Sequence, residues 1–119
     1  MKIEVVIRGE ALRLEPLAVE GCGAVARFEG LVRGMEDGAP IMALEYEAYA
    51  PMAEKVMRDI LVDLHRAHPF EWARVHHRVG RVPVGEAAIV AEVHSKHRAE
   101  AFAVLSGFMD RLKRDVPIW

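Results

Sequence analysis

Ala87-Ala88-Ile89-Val90-Ala91-Glu92-Val93-His94-Ser95-Lys96-His97-Arg98-Ala99-Glu100-Ala101-Phe102 changes its period midway. Up to Ser95 it reads as an apolar strand. From about His97 to Asp115 it reads as a helix that buries Phe102, Leu105, Phe108, Met109 and Leu112 and is stopped by Pro117. Between the two halves stand Lys96, His97 and Arg98, after a Ser95 placed to cap the helix. A helix N-terminus already carries roughly half a unit of positive charge, so stability alone favours Asp or Glu there. Cations at that point suit an anionic ligand instead, because free backbone N–H groups and the dipole converge on it.

The rest of the chain supplies further strands and one more helix. Lys2 to Ile7 reads as a strand, and Leu12 to Glu20 as a short helix interrupted by Pro16. Ala24 to Arg33 alternates, with Ala24, Ala26, Phe28, Gly30 and Val32 on an apolar side and Val25, Arg27, Glu29, Leu31 and Arg33 on the other. After a loop at Gly34 to Pro40, Ile41 to Glu47 is expected to return antiparallel to that strand. Pro51 suits the first turn of a helix running to about His68, with Met52, Val56, Ile60 and Leu64 as its apolar stripe and Glu54–Arg58 as an i,i+4 ion pair. Trp72 to Val79 is a strand with Val75, His77 and Val79 on one face and Arg74, His76 and Arg78 on the other; Gly80 to Gly85 is read as the turn into Ala87 to Ser95. Strands, helix, strand pair and helix give an α+β fold with a largely antiparallel sheet.

The chain has 119 residues, the size of one domain, and its 52% hydrophobic and 29% charged content is that of a folded protein rather than a disordered one. The net charge of −2 argues against bulk electrostatic binding of nucleic acid, though not against a local basic patch. Cys22 alone forms no internal disulfide, and its glycine neighbours suggest a turn and an incidental thiol. No apolar run is long enough for a membrane span, and Met1-Lys2-Ile3-Glu4 lacks the order of a signal peptide. A cytoplasmic protein is therefore expected.

No CxxC, HExxH or glycine-rich phosphate loop is present, and no metal or cofactor is expected. His65 and His68, at a helix end, complement the dipole rather than assemble three or four metal ligands. The chemistry-bearing set is basic: Arg33, Arg78, Lys96, His97 and Arg98. Arginines at strand ends can clamp phosphate bidentately. Solvated surface charge is the simpler reading of Arg33 or Arg78 taken alone. His97 and Arg98 point to a ligand, because the dipole opposes a purely structural role.

Five pieces carry a family resemblance, in order: Gly23-Ala24-Val25…Phe28-Glu29-Gly30-Leu31-Val32-Arg33, Leu44-Glu45-Tyr46-Glu47-Ala48-Tyr49…Met52-Ala53-Glu54, His77-Arg78-Val79-Gly80…Pro83-Val84-Gly85-Glu86, Ser95 to Phe102, and Met109-Asp110…Leu112-Lys113…Pro117-Ile118-Trp119. Together they resemble the catalytic (large) subunit of molybdopterin synthase, over nearly all of the chain from Gly23 onward. The resemblance implies a single α/β hammerhead-type domain over residues 1–119 that dimerises. It implies an enzyme that puts two sulfurs into cyclic pyranopterin monophosphate to make the molybdopterin dithiolene. The sulfur comes as a C-terminal thiocarboxylate on a ubiquitin-like small subunit, whose Gly-Gly tail threads into a pocket. The expected assembly is a heterotetramer around a central homodimer, in molybdenum cofactor biosynthesis, with no nucleic-acid or membrane partner.

By position, Arg33, His97 and Arg98 match the family's substrate-pocket residues, which makes them catalytic as well as substrate-binding candidates, and Arg78 matches a basic position placed near the same pocket; Lys96 joins them as a substrate-binding cation. The family motif runs from Pro-aromatic-Trp into lysine, with a second lysine further on, and these are its leading catalytic candidates. The sequence stops at Trp119. Lys113 and Lys96 are the stand-ins it offers, helix geometry being expected to turn Lys113 away from that place. A docking-only dimeric scaffold is the alternative this departure raises. A small module binding RNA or nucleotide is a third reading, disfavoured by the acidic charge.

Overall fold

The computed structural model describes residues 1–119. In chain order the elements are β1 (Lys2–Arg8), β2 (Ala24–Leu31), β3 (Met35–Glu36), β4 (Ala39–Pro40), β5 (Ala43–Tyr46), α1 (Ala50–Ala67), β6 (Trp72–Arg78), β7 (Gly80–Pro83), β8 (Ala87–Ser95) and α2 (Arg98–Asp115). The main sheet has the order β1-β6-β8-β2. Its β6–β8 and β8–β2 pairs are antiparallel, and β1–β6 is parallel. The fold is α+β with a mostly antiparallel mixed sheet, as the pattern of periods implied.

The period of two along each strand sorts side chains between two unlike faces. One face presents Val5, Ala26, Ala73, Val75, Ala91 and Val93 to the two helices, which add Met57, Ile60, Leu61, Val104 and Phe108 to close the core. The other carries Arg27, Arg74, Glu92 and His94. There Glu92, 3% exposed, accepts from Arg74 Nε at 2.6 Å and from Arg27. Arg74 also donates to the Glu15 carbonyl at 2.5 Å, which ties the segment between β1 and β2 onto this face. No helix is long and apolar enough to cross a membrane.

Several expectations change at the level of packing. Leu12 to Glu20 forms no helix; the segment is held by the buried Leu14 and by the Arg74 bond. The strand at Ala43–Tyr46 does not return along β2. It pairs antiparallel with Gly80–Pro83, read from sequence as a turn, while a two-residue hairpin, Met35–Glu36 with Ala39–Pro40, fills the loop. The residues buried from α1 are Ala53, Met57, Ile60 and Leu61, so the stripe is rotated and Met52 is exposed. Glu54 and Arg58 do pair, at 3.4 Å. In α2, Phe102 is 63% exposed, whereas Phe108 is buried. His65 is part-buried rather than on a wet face, donating to the Phe70 carbonyl at 3.1 Å and meeting its ring edge-on.

Candidate functional site

A cavity of about 420 Å³ opens at the end of the sheet where β2 finishes. Its apolar floor comes from Phe28 and Gly30 of β2, Ile89 of β8, and Met109 and Leu112 of α2. Gly30 keeps that floor open: a Cβ there would stand 2.8 Å from the Ile89 Cγ2. The polar groups are Arg33 just past β2, Glu36 of β3, Tyr46 of β5, His77 of β6 and Lys113 of α2. Lys113 lies in the last turn of α2, where a cation suits the helix dipole. Neither Arg33 nor Lys113 makes an ion pair, and both side chains are exposed, so both remain available to an anion. The last residues close one side. Glu47 and Trp119 exchange backbone bonds at 2.7 and 2.9 Å, and Ile118 turns into the cavity wall.

Two further groups shape this cavity. His77 is 6% exposed; its Nδ1–H donates to the Arg78 carbonyl at 2.8 Å, and burial pushes its pKa below the ordinary imidazole value against the raising effect of that bond. Tyr46 meets the His77 ring edge-on at 5.6 Å between centroids, and burial followed by the Glu36 charge raises its phenol. Sequence reading did not single out either residue. The signal for His77 was its place on the apolar side of its strand, between Val75 and Val79.

The other basic residues lie elsewhere. Ser95 does not cap α2: it is fully buried, and its Oγ donates to the His97 carbonyl at 2.5 Å. His97 occupies the cap position with extended backbone and no side-chain cap bond. Lys96, His97 and Arg98 are all exposed there. The turn is pinned by Gly23, whose N–H donates to the Lys96 carbonyl at 3.2 Å and whose missing side chain permits the approach, since a Cβ would lie 2.8 Å from that oxygen. Ala24 is in register with Ser95 at this end of β2, and Arg33 lies beyond the other end. At ~3.3 Å per residue, Arg33 and the 96–98 cluster stand roughly 30 Å apart along the strand. Within one chain they do not share a pocket.

Arg78 is also apart from the cavity. The alternation of β6 turns it to the face opposite His77, into a cleft with Arg13 and Glu29, where its guanidinium binds Glu86 at 2.6 Å. The geometry thus joins Arg33 to Lys113, and separates both from Arg78 and from Lys96, His97 and Arg98.

Residues 7–115 match the family model described as "MoaE protein". The human protein named molybdopterin synthase catalytic subunit is 45% identical over 98 residues, 82% of this chain and 52% of its own length. The Nostoc sp. protein of the same name is 42% identical over 98 residues, 82% of this chain and 59% of that one. The crystal structure of molybdopterin synthase from Staphylococcus aureus superposes with a TM-score of 0.87 at 35% identity, covering 98% of this chain and 86% of that one. The chain spans about half the length of the mammalian relatives it matches.

Proposed function

The chain belongs to the MoaE protein family, the family of molybdopterin synthase catalytic subunits, and from that membership we propose that it is a sulfurtransferase acting in molybdenum cofactor biosynthesis. It takes sulfur from the C-terminal thiocarboxylate of a ubiquitin-like small subunit and places it on cyclic pyranopterin monophosphate to form the dithiolene. The observation that carries this reading is the pairing of Arg33 and Lys113 over an apolar cavity. The apolar floor accepts a narrow, side-chain-poor tail. The two free cations stabilise the thiocarboxylate, and the negative charge that develops on its carbonyl oxygen when the acyl group is attacked.

Lys113 is the lysine that lines this cavity. A cation in that position favours chemistry over the docking-only scaffold. Arg33 and Lys113 are the first catalytic candidates within one chain; His97, Arg98 and Lys96 form a second, phosphate-binding group.

The distance between the two groups bears on assembly. If Arg33 and the 96–98 cluster serve one substrate, the cluster must come from a second copy. A two-fold homodimer does this twice over, each protomer lending its α2 start to the other's cavity. We assign this dimer as the core of a heterotetramer with one small subunit at each cavity. Arg78, paired with Glu86 in a separate cleft, has a lesser claim to the substrate.

The test is product formation from this protein, a thiocarboxylated small subunit and cyclic pyranopterin monophosphate. Dithiolene product is expected. A small subunit that binds while no sulfur moves to the pterin would sink the proposal.

A further inference from the structure

The geometry points to His77 as a general base that activates water in the cavity, for the hydrolytic half of the sulfur-transfer reaction. This inference rests on the functional reading above and assigns to it a step that the cations do not perform.

Atom balance requires the step. When a thiocarboxylate sulfur adds to an unsaturated, electrophilic carbon of the pterin, the C–S bond forms as that carbon's π bond breaks onto its heteroatom, which takes a proton, and the small subunit's terminal acyl group stays attached to that sulfur as a thioester. Sulfur is delivered only when the acyl carbon–sulfur bond breaks. Water adds to the acyl carbon, its proton goes to a base, the pterin leaves as thiolate, and the small subunit leaves with a carboxylate. Nothing is oxidised or reduced. Arg33 and Lys113 stabilise the oxyanion of this addition, but as cations they do not take the water's proton.

His77 meets the requirements of that base. Its ring lines the same cavity as Arg33 and Lys113. Its Nδ1–H is committed to the Arg78 carbonyl, which fixes the tautomer and leaves Nε2 with a free lone pair and no protein partner. The edge-on Tyr46 ring holds the imidazole plane. Strand neighbours Ile7 and Ile89 are apolar, and the other charged or titratable groups on the cavity are Arg33, Glu36, Tyr46 and Lys113. Burial lowers its pKa against the raising effect of the Arg78 bond, which keeps the imidazole neutral and able to accept a proton near pH 7. Glu36 is exposed, and unlike His77 is not oriented by a hydrogen bond.

The experiment is a single turnover with the thiocarboxylated small subunit and cyclic pyranopterin monophosphate, followed by intact mass. His77→Asn retains an N–H for the Arg78 carbonyl and removes the base; His77→Gln fills similar space and serves as a second variant. Both are expected to form the small-subunit–pterin thioester at the wild-type rate and to hydrolyse it about 100-fold or more slowly, so that the adduct accumulates. In the wild type the hydrolysis rate is expected to rise with pH and level off above an inflection below 6.5, the ordinary imidazole value. Hydrolysis within about twofold of wild type in either folded variant overturns the assignment, as does equal loss of both steps, which marks a structural role. If neither variant folds, a wild-type hydrolysis rate that keeps rising above pH 6.5, or that stays flat down to the pH at which the protein unfolds, overturns it. Failure of the wild type to form any thioester sinks the functional reading itself, whereas normal transfer with normal release in the variants sinks only the role of His77.

Discussion

Gly30 faces Ile89 across the β2–β8 ladder so closely that a Cβ on residue 30 would stand 2.8 Å from the Ile89 Cγ2. Because both residues lie on the cavity floor, the space above it depends on one absent side chain. Gly30→Val is expected to cost about 1–3 kcal/mol through overpacking and to abolish seating of the small subunit's tail. Chemical denaturation and a binding titration with the small subunit check the two parts. Unchanged binding in the folded variant would show that the tail sits elsewhere.

The separation of Arg33 from Arg98 leads to a mixing experiment. Arg33→Ala and Arg98→Ala are each expected to lose product formation by at least about 100-fold, with melting temperatures nearly unchanged, because both side chains are exposed and unpaired. Unfolded and refolded together, the two inactive proteins are expected to form hybrid dimers in which one cavity has both residues intact. Activity should return in the mixture and in neither parent. No recovery would place both functions within one protomer or outside the site. Arg78→Ala, which breaks the Glu86 pair, is expected to leave turnover largely intact.

Glu92 is the acid-sensitive point of the fold. Burial alone would raise its carboxyl, but hydrogen bonds from Arg74 and Arg27, with their charge and the His94 contact, outweigh it and hold the pKa below its ordinary value of 4.5. The unfolded chain takes up this proton first, so the contribution is present above about pH 4.5 and is lost as pH falls through the lower folded-state value. Glu92→Ala strands two cations against the sheet and is expected to cost about 3–5 kcal/mol at neutral pH. Melting temperatures from pH 3 to 7 should show the wild type losing stability in acid and the variant losing less.

His77 adds a second, higher-pH contribution. Its folded-state pKa lies below 6.5 because the charged form is buried, so stability falls as pH drops from 6.5 toward that value, where the unfolded chain is protonated and the folded one is not. His77→Asn should flatten the melting-temperature profile in this window while leaving the Glu92 limb in place.

Two phenylalanines on α2 make a direct comparison. Phe108→Ala is expected to cost about 3–5 kcal/mol, as for any fully buried ring. Phe102→Ser should change stability by no more than about 0.5 kcal/mol, since its ring is largely in solvent. Urea midpoints measured on both variants decide the matter, and a large loss at Phe102 in dilute protein would show that a second copy covers it.

Much of the fold is legible along the chain. The period of two in β2, β6 and β8 and the helical period of α1 and α2 require only local geometry, and each element appears within a residue or two of its expected place. Pairing is another matter. Ala43–Tyr46 has no local feature that selects Gly80–Pro83 over β2; the choice follows from where Val82 finds cover with Val32 and Ala88. The exposure of Phe102 and Met52 depends likewise on where the sheet lies against each helix, since an apolar stripe wider than the contact leaves part of itself uncovered.

The basic candidates divide in the same way. The proposal that Arg33, Lys96, His97, Arg98 and Lys113 carry chemistry rests on residue type, position in the elements and family resemblance, all properties of the sequence. Which of them meet is decided by tertiary structure. A strand of eight residues holds its two ends apart whatever side chains it carries, which parts Arg33 from Arg98. Packing of α2 across β2 and β8 brings Lys113 back over the strand end where Arg33 stands, and alternation on β6 delivers His77 to that cavity while sending Arg78 to the opposite face. Backbone periodicity is a short-range property that the amino-acid order determines by itself; the coincidence of distant side chains is created only when the helices cover the sheet and exclude water from between them.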